Sequence, residues 1–130
     1  MQTTVPGPES IIAAPRRQDG WRRCEDPGSH TALLASAGPF DAMAAERLGR
    51  EVRALLLIGC RYFIFDLRQC ESVIPQGAQG LLSLRSELSR RGGRVQLLLA
   101  GGSRVERMLR LLRFGDLFPI VRAAGASRRA

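Results

Sequence analysis

Few side chains in this 130-residue chain could carry out chemistry, and their spacing narrows the choice further. All 20 basic residues are arginine. The absence of lysine removes Schiff-base chemistry, a pyridoxal phosphate anchor, a Walker A lysine and a protein-kinase strand lysine. His30 is the single histidine, which excludes a multi-histidine metal site. Cys24, Cys60 and Cys70 fit neither a CxxC pair nor a zinc ribbon. Three scattered thiols fit a reducing compartment, where they serve as small buried apolar groups. For an enzyme only carboxylate chemistry is left, on Asp41, Asp66 and Glu71, with no nucleophile–base pair to support it. The expectation is a non-enzymatic protein with no cofactor and no metal.

Two further patterns could bind anions. Gly101-Gly102-Ser103-Arg104 could cradle a phosphate, yet it satisfies neither Walker A nor GxGxxG and reads better as a turn with a serine cap. The net charge of +8 raises nucleic acid or anionic lipid heads as partners. The densest basic cluster is Arg90, Arg91 and Arg94, with Arg104, Arg107, Arg110 and Arg113 recurring every three residues further on. That spacing is also the solvated face of an amphipathic helix, and aromatic interleaving is sparse. Nucleic acid therefore stands behind a protein partner.

The elements that must position these residues follow from the hydrophobic period. Residues 1–19 read as a disordered arm, 20–122 as one domain and 123–130 as a flexible tail. Trp21 to Cys24 and Thr31 to Ala37 read as strands around the turn Asp26-Pro27-Gly28-Ser29. Asp41 reads as the N-cap of a helix whose inner face is Ala45, Leu48, Val52, Leu55 and Leu56, with Arg47, Arg50, Glu51 and Arg53 outward. Tyr62 to Phe65, closed by Asp66, has the continuous apolar character of a central strand, with Cys60 and Cys70 flanking it in or near the core. Arg68 to Ile74 reads as a loop. A second helix begins near Pro75, turns Ala78, Leu81, Leu82, Leu84 and Leu88 inward and stops at Gly92-Gly93. Val95 to Ala100 is the next strand. Ser103 and Glu106 form a capping box for a third helix with Val105, Met108, Leu109 and Leu112 as its stripe. Gly115 ends it, and Phe118 to Val121 reads as a last edge strand. The order β-β-α-β-α-β-α-β makes an α/β domain with a mixed sheet covered by helices. The longest apolar run, Ala54 to Ile58, is too short to cross a bilayer and no signal peptide is visible, so a cytoplasmic protein is expected.

This order and its punctuation resemble the STAS domain, the module shared by sulfate transporters and bacterial anti-sigma factor antagonists. Gly38-Pro39-Phe40-Asp41 resembles the family's entrance to the first helix, and Tyr62 to Leu67 its central strand. Gly77 to Leu82 resembles the start of its second helix, and Arg90 to Leu99 its Gly-Gly-hydrophobic strand. Arg107 to Val121 resembles its closing helix, glycine and Leu-Phe-Pro. In the family's antagonists, Asp-Ser-Ser-Gly begins the second helix, and a partner kinase phosphorylates the first serine (or a threonine) to turn off binding. The matching residues here are Ile74-Pro75-Gln76-Gly77. Pro75 has no hydroxyl; Ser72 and Ser83 are the nearest substitutes.

The resemblance implies a protein-binding regulator of transcription whose partner is an anti-sigma factor with a kinase-like fold. Its contact surface would be Asp41, Pro75, Gln76, Gly77, Gln79 and Gly80. A scaffold or accessory STAS subunit of a stress-signalling or lipid-transport complex is the alternative, and association with itself or other STAS proteins stays open. A basic nucleic-acid-binding domain comes last.

Overall fold

The computed structural model describes residues 12–13, 22–26 and 31–123, the first two stretches by backbone alone. The strands are β1 (Ile12–Ala13), β2 (Arg22–Asp26), β3 (Thr31–Phe40), β4 (Tyr62–Val73), β5 (Arg94–Ala100) and β6 (Ile120–Ala123). The helices are α1 (Ala42–Leu57), α2 (Pro75–Arg90) and α3 (Arg104–Leu111). One six-stranded sheet runs β1-β2-β3-β4-β5-β6. Its first three strands are antiparallel neighbours, and β3 to β6 are parallel. Each parallel step needs a crossover helix, and each moves to the next strand on the same side. With one handedness of crossover, α1, α2 and α3 fall on one face.

That face carries the core. Leu34, Phe63, Phe65, Leu97 and Leu99 alternate toward it and meet Leu48, Val52 and Leu55 of α1, Leu81 and Leu88 of α2, and Leu109 of α3. The intervening Ile64, Asp66 and Leu98 are buried as well, as a central strand requires. Gly92, at φ +78°, turns the chain out of α2 where a side chain would be strained. Cys60 and Cys70 are buried. Burial pushes the Cys70 thiol up to about 11 against a hydrogen bond with Ser36, so it carries almost no thiolate at neutral pH.

Several sequence expectations need correction. Arg68 to Val73 is not a loop, because β4 continues alongside β3 to the pair Phe40–Val73. Asp66 does not close the strand. Its carboxylate accepts from the Arg68 amide at 3.0 Å and from the Arg68 guanidinium at 2.9 and 2.8 Å. This local bond accompanies the first of two register shifts, between Ala35 and Ala37; the second lies between Gly38 and Pro39. Glu51 is buried, since it continues the line of Ala44, Leu48 and Leu55 and so widens the inner face of α1. At the third helix Leu112 is 52% exposed, because α3 ends at Leu111 and Arg113 reverses the chain at φ +65°. Phe114 and Phe118, stacked at 5.3 Å, fill the core where Leu112 was expected. Phe118 is thus a core residue, and the last strand begins two residues later, at Ile120.

The turn Pro27 to Ser29, Trp21 and His30 lie outside the described residues, as do 124–130. Of the arm 1–19, only Ile12 and Ala13 are described, paired with Glu25 and Cys24.

Candidate functional site

The expected contact residues come together where α1 and α2 begin. Both helices start at the carboxyl ends of parallel strands, β3 and β4, so their N-termini share one pole of the domain. The Phe40 carbonyl joins them: it accepts from the Ile74 amide at 2.9 Å, immediately before Asp41. The Asp41 side chain accepts from the Ala44 amide at 2.9 Å, which makes it the N-cap expected from the sequence.

The α2 start is built differently. Ile74 occupies the cap position and supplies no side-chain hydrogen bond, and Pro75 follows at the first helical position. Proline fits there because its missing N–H belongs to the turn whose amides have no helical partner. Gly77 is buried, and a Cβ on it would lie 2.2 Å from the Phe40 oxygen and 2.9 Å from the Phe40 carbonyl carbon. A Cβ on Gly80 would lie 2.4 Å from that of Ala45. The two glycines let α2 settle onto the β3 end and onto α1. Pro75, Gln76 and Gln79 are left exposed above them.

A shallow groove of about 400 Å³ runs between the helices from this point. Ala42, Ala45, Gln76, Gly80 and Ser83 line it, and the Arg53–Glu87 pair crosses at its far end. Arg53 donates twice to the Glu87 carboxylate, at 3.0 and 3.1 Å. That bond is the main reason the Glu87 carboxyl is held below its ordinary value. The groove and Met43, 57% exposed in the first turn of α1, were missed from sequence. Met43 lies off the Leu48–Val52 stripe and was readable on that ground. The groove, made by small residues more than thirty positions apart, was not.

Ser72 and Ser83 occupy different settings. Ser72 sits within β4, paired with Pro39 and half-buried. Ser83 is exposed in the groove, about 12 Å along α2 from Pro75 at 1.5 Å per residue.

The second anion candidate, before α3, is occupied by the chain itself. Ser103 Oγ accepts from the Glu106 amide at 3.1 Å. The Glu106 carboxylate does not return to Ser103, as a regular capping box would, but accepts from Gly102 N–H at 2.7 Å. It also pairs with Arg110 at 3.1 Å and Arg122 at 2.7 Å. A carboxylate thus already sits where a phosphate would bind.

Residues 26–125, which span the parallel strands and all three helices, match one family model, the STAS domain. The chain belongs to the STAS domain family. Among solved structures this STAS domain is similar to the anti-sigma factor antagonist SpoIIAA in its unphosphorylated form. The TM-score is 0.61 at 19% identity over 83% of this chain and 93% of that one. An anti-sigma factor antagonist from Mycobacterium paratuberculosis matches at TM-score 0.60 and 18% identity over 92% of each chain. The Bacillus cell fate determinant SpoIIAA in its phosphorylated form matches at 0.58 and 18%, over 83% of this chain and 96% of that one. At these identities the likeness is one of fold. No curated protein matches in sequence. No helix among the described residues of the STAS domain is long and apolar enough to cross a membrane.

Proposed function

We propose that this STAS domain is a non-enzymatic, protein-binding regulator of the anti-sigma factor antagonist kind. It acts in the cytoplasm on transcription, through an anti-sigma factor with a kinase-like ATP-binding fold or a related partner. Pro75, Gln76 and Gln79 form the contact, with Asp41 beside them and Gly77 and Gly80 beneath. The single observation behind this reading is proline at the first position of α2. It keeps the helix start in the form a partner would recognise and offers no hydroxyl to phosphorylate. Gln76 and Gln79, three apart and exposed, supply neutral hydrogen bonds there.

The test is a titration, followed by calorimetry, against each kinase-type anti-sigma factor encoded in the source genome. Gln76→Ala with Gln79→Ala should weaken binding about tenfold, in line with the loss of one to two net hydrogen bonds. No binding by the intact protein would overturn the reading. The same missing hydroxyl also suits an accessory subunit that is never switched. Recovery of a transporter ATPase, or of STAS subunits alone, on affinity purification would favour that second reading.

A further inference from the structure

The pole opposite the α2 start has a different chemistry. There α1 ends, β4 begins, α2 ends and β5 begins, and the two connections touch: the Arg94 amide donates to the Arg61 carbonyl at 2.8 Å. On this pole Leu57 is 82% exposed, Ile58 65% and Tyr62 50%. They stand among Arg61, Arg90, Arg91 and Arg94, all exposed. Arg91 pairs with Glu87 at 3.2 Å, and Arg61 donates to the carbonyls of Leu56 and Cys60. Arg90 and Arg94 have no ion pair among the described residues. Asp26, registered with Thr31 beside Tyr62, and Glu87 are the acids nearest by position.

We propose that this pole is a peripheral docking surface for an anionic lipid bilayer. Two large aliphatic side chains at a helix end, with an exposed tyrosine and a ring of arginines, match the interface between acyl chains and anionic headgroups. A nucleic acid would use the arginines but give Leu57 and Ile58 nothing to bury against. A second copy in a symmetric contact would bring arginine against arginine. A bilayer uses both halves of the surface.

The test is co-sedimentation of the full chain with phosphatidylcholine vesicles with and without phosphatidylglycerol. Binding should require the anionic lipid and fall with added salt. Arg90→Gln with Arg94→Gln should lose about fivefold affinity per arginine. Leu57→Ser with Ile58→Ser should lose at least tenfold on the same vesicles. Circular dichroism of each variant should match the parent, since all four side chains are exposed. Gln76→Ala with Gln79→Ala should leave vesicle binding unchanged, which separates this surface from the partner surface. No sedimentation with anionic vesicles would overturn the proposal. So would equal binding by the Leu57/Ile58 variant, or binding to RNA that those substitutions leave intact.

Discussion

The starts of α2 and α3 solve the same problem in opposite ways. Each helix leaves its first amides without an internal partner. At α3 the chain supplies everything: a serine cap, a glutamate on the Gly102 amide, and two arginines holding that glutamate. At α2 no side chain caps the helix, and its start is held by backbone contact between Phe40, Ile74 and Gly77. One start carries its own carboxylate, which ties α3 to β6. The other has no side-chain cap and leaves Pro75, Gln76 and Gln79 exposed above it. The difference shows that a helix N-terminus alone says little about ligands; what already occupies it decides.

This contrast can be attacked from both sides. The largest effect should come from Gly77→Ala. Its new methyl would meet the Phe40 backbone, which cannot move aside as a flexible side chain can. Destabilisation of about 3 kcal/mol is expected from denaturant unfolding. A loss near zero would mean that α2 is not seated on the β3 end as described.

Next is Glu106→Gln, expected to cost about 2 kcal/mol near neutral pH by weakening charge-assisted bonds to Gly102, Arg110 and Arg122. Burial alone would push the Glu106 pKa up, but the Gly102 amide and the two arginines outweigh it and hold the carboxyl below its ordinary 4.5. A folded-state pKa lower than the unfolded one gives stability that is present above the unfolded value and lost as pH falls through the folded one. The gap between parent and Glu106→Gln should therefore narrow as pH drops below 4.5. A gap that widened on acidification would reverse the assignment.

Ser103→Ala should cost about 1 kcal/mol, the usual loss for a serine cap. Pro75→Ser should change stability by less, about 0.5 kcal/mol, because serine is also tolerated at a helix start. Thermal unfolding of the two variants side by side measures this asymmetry between the helix starts.

The parts of the fold readable in the sequence are those with local causes. Asp41 and Ser103 are caps whose partners lie three residues away, and the α1 and α2 stripes follow the helical period. The second half of β4 was not readable: Arg68, Gln69, Glu71 and Ser72 have the composition of a loop. They are strand only because β3 extends beside them, through two register shifts that alternation cannot reveal. Leu112 was displaced by Phe114 and Phe118 for a similar reason. A left-handed arginine at 113 ends the stripe early, and nothing in the residue type announces it. At the site, Pro75 and Gly77 were legible through the STAS resemblance. The Phe40 carbonyl beneath Gly77 and the Arg122 beside Glu106 are long-range partners, visible only in three dimensions.

The central claim is that position 75 holds a recognisable helix start with no phosphorylation switch. The direct measurement is phosphate transfer from labelled ATP by the kinase-type anti-sigma factor proposed as partner to the parent and to Pro75→Ser, with its affinity read before and after. The parent should take up no phosphate and keep its affinity in ATP, while Pro75→Ser should be labelled and released. Phosphate on Ser72 or Ser83 of the parent, accompanied by loss of binding, would contradict the account.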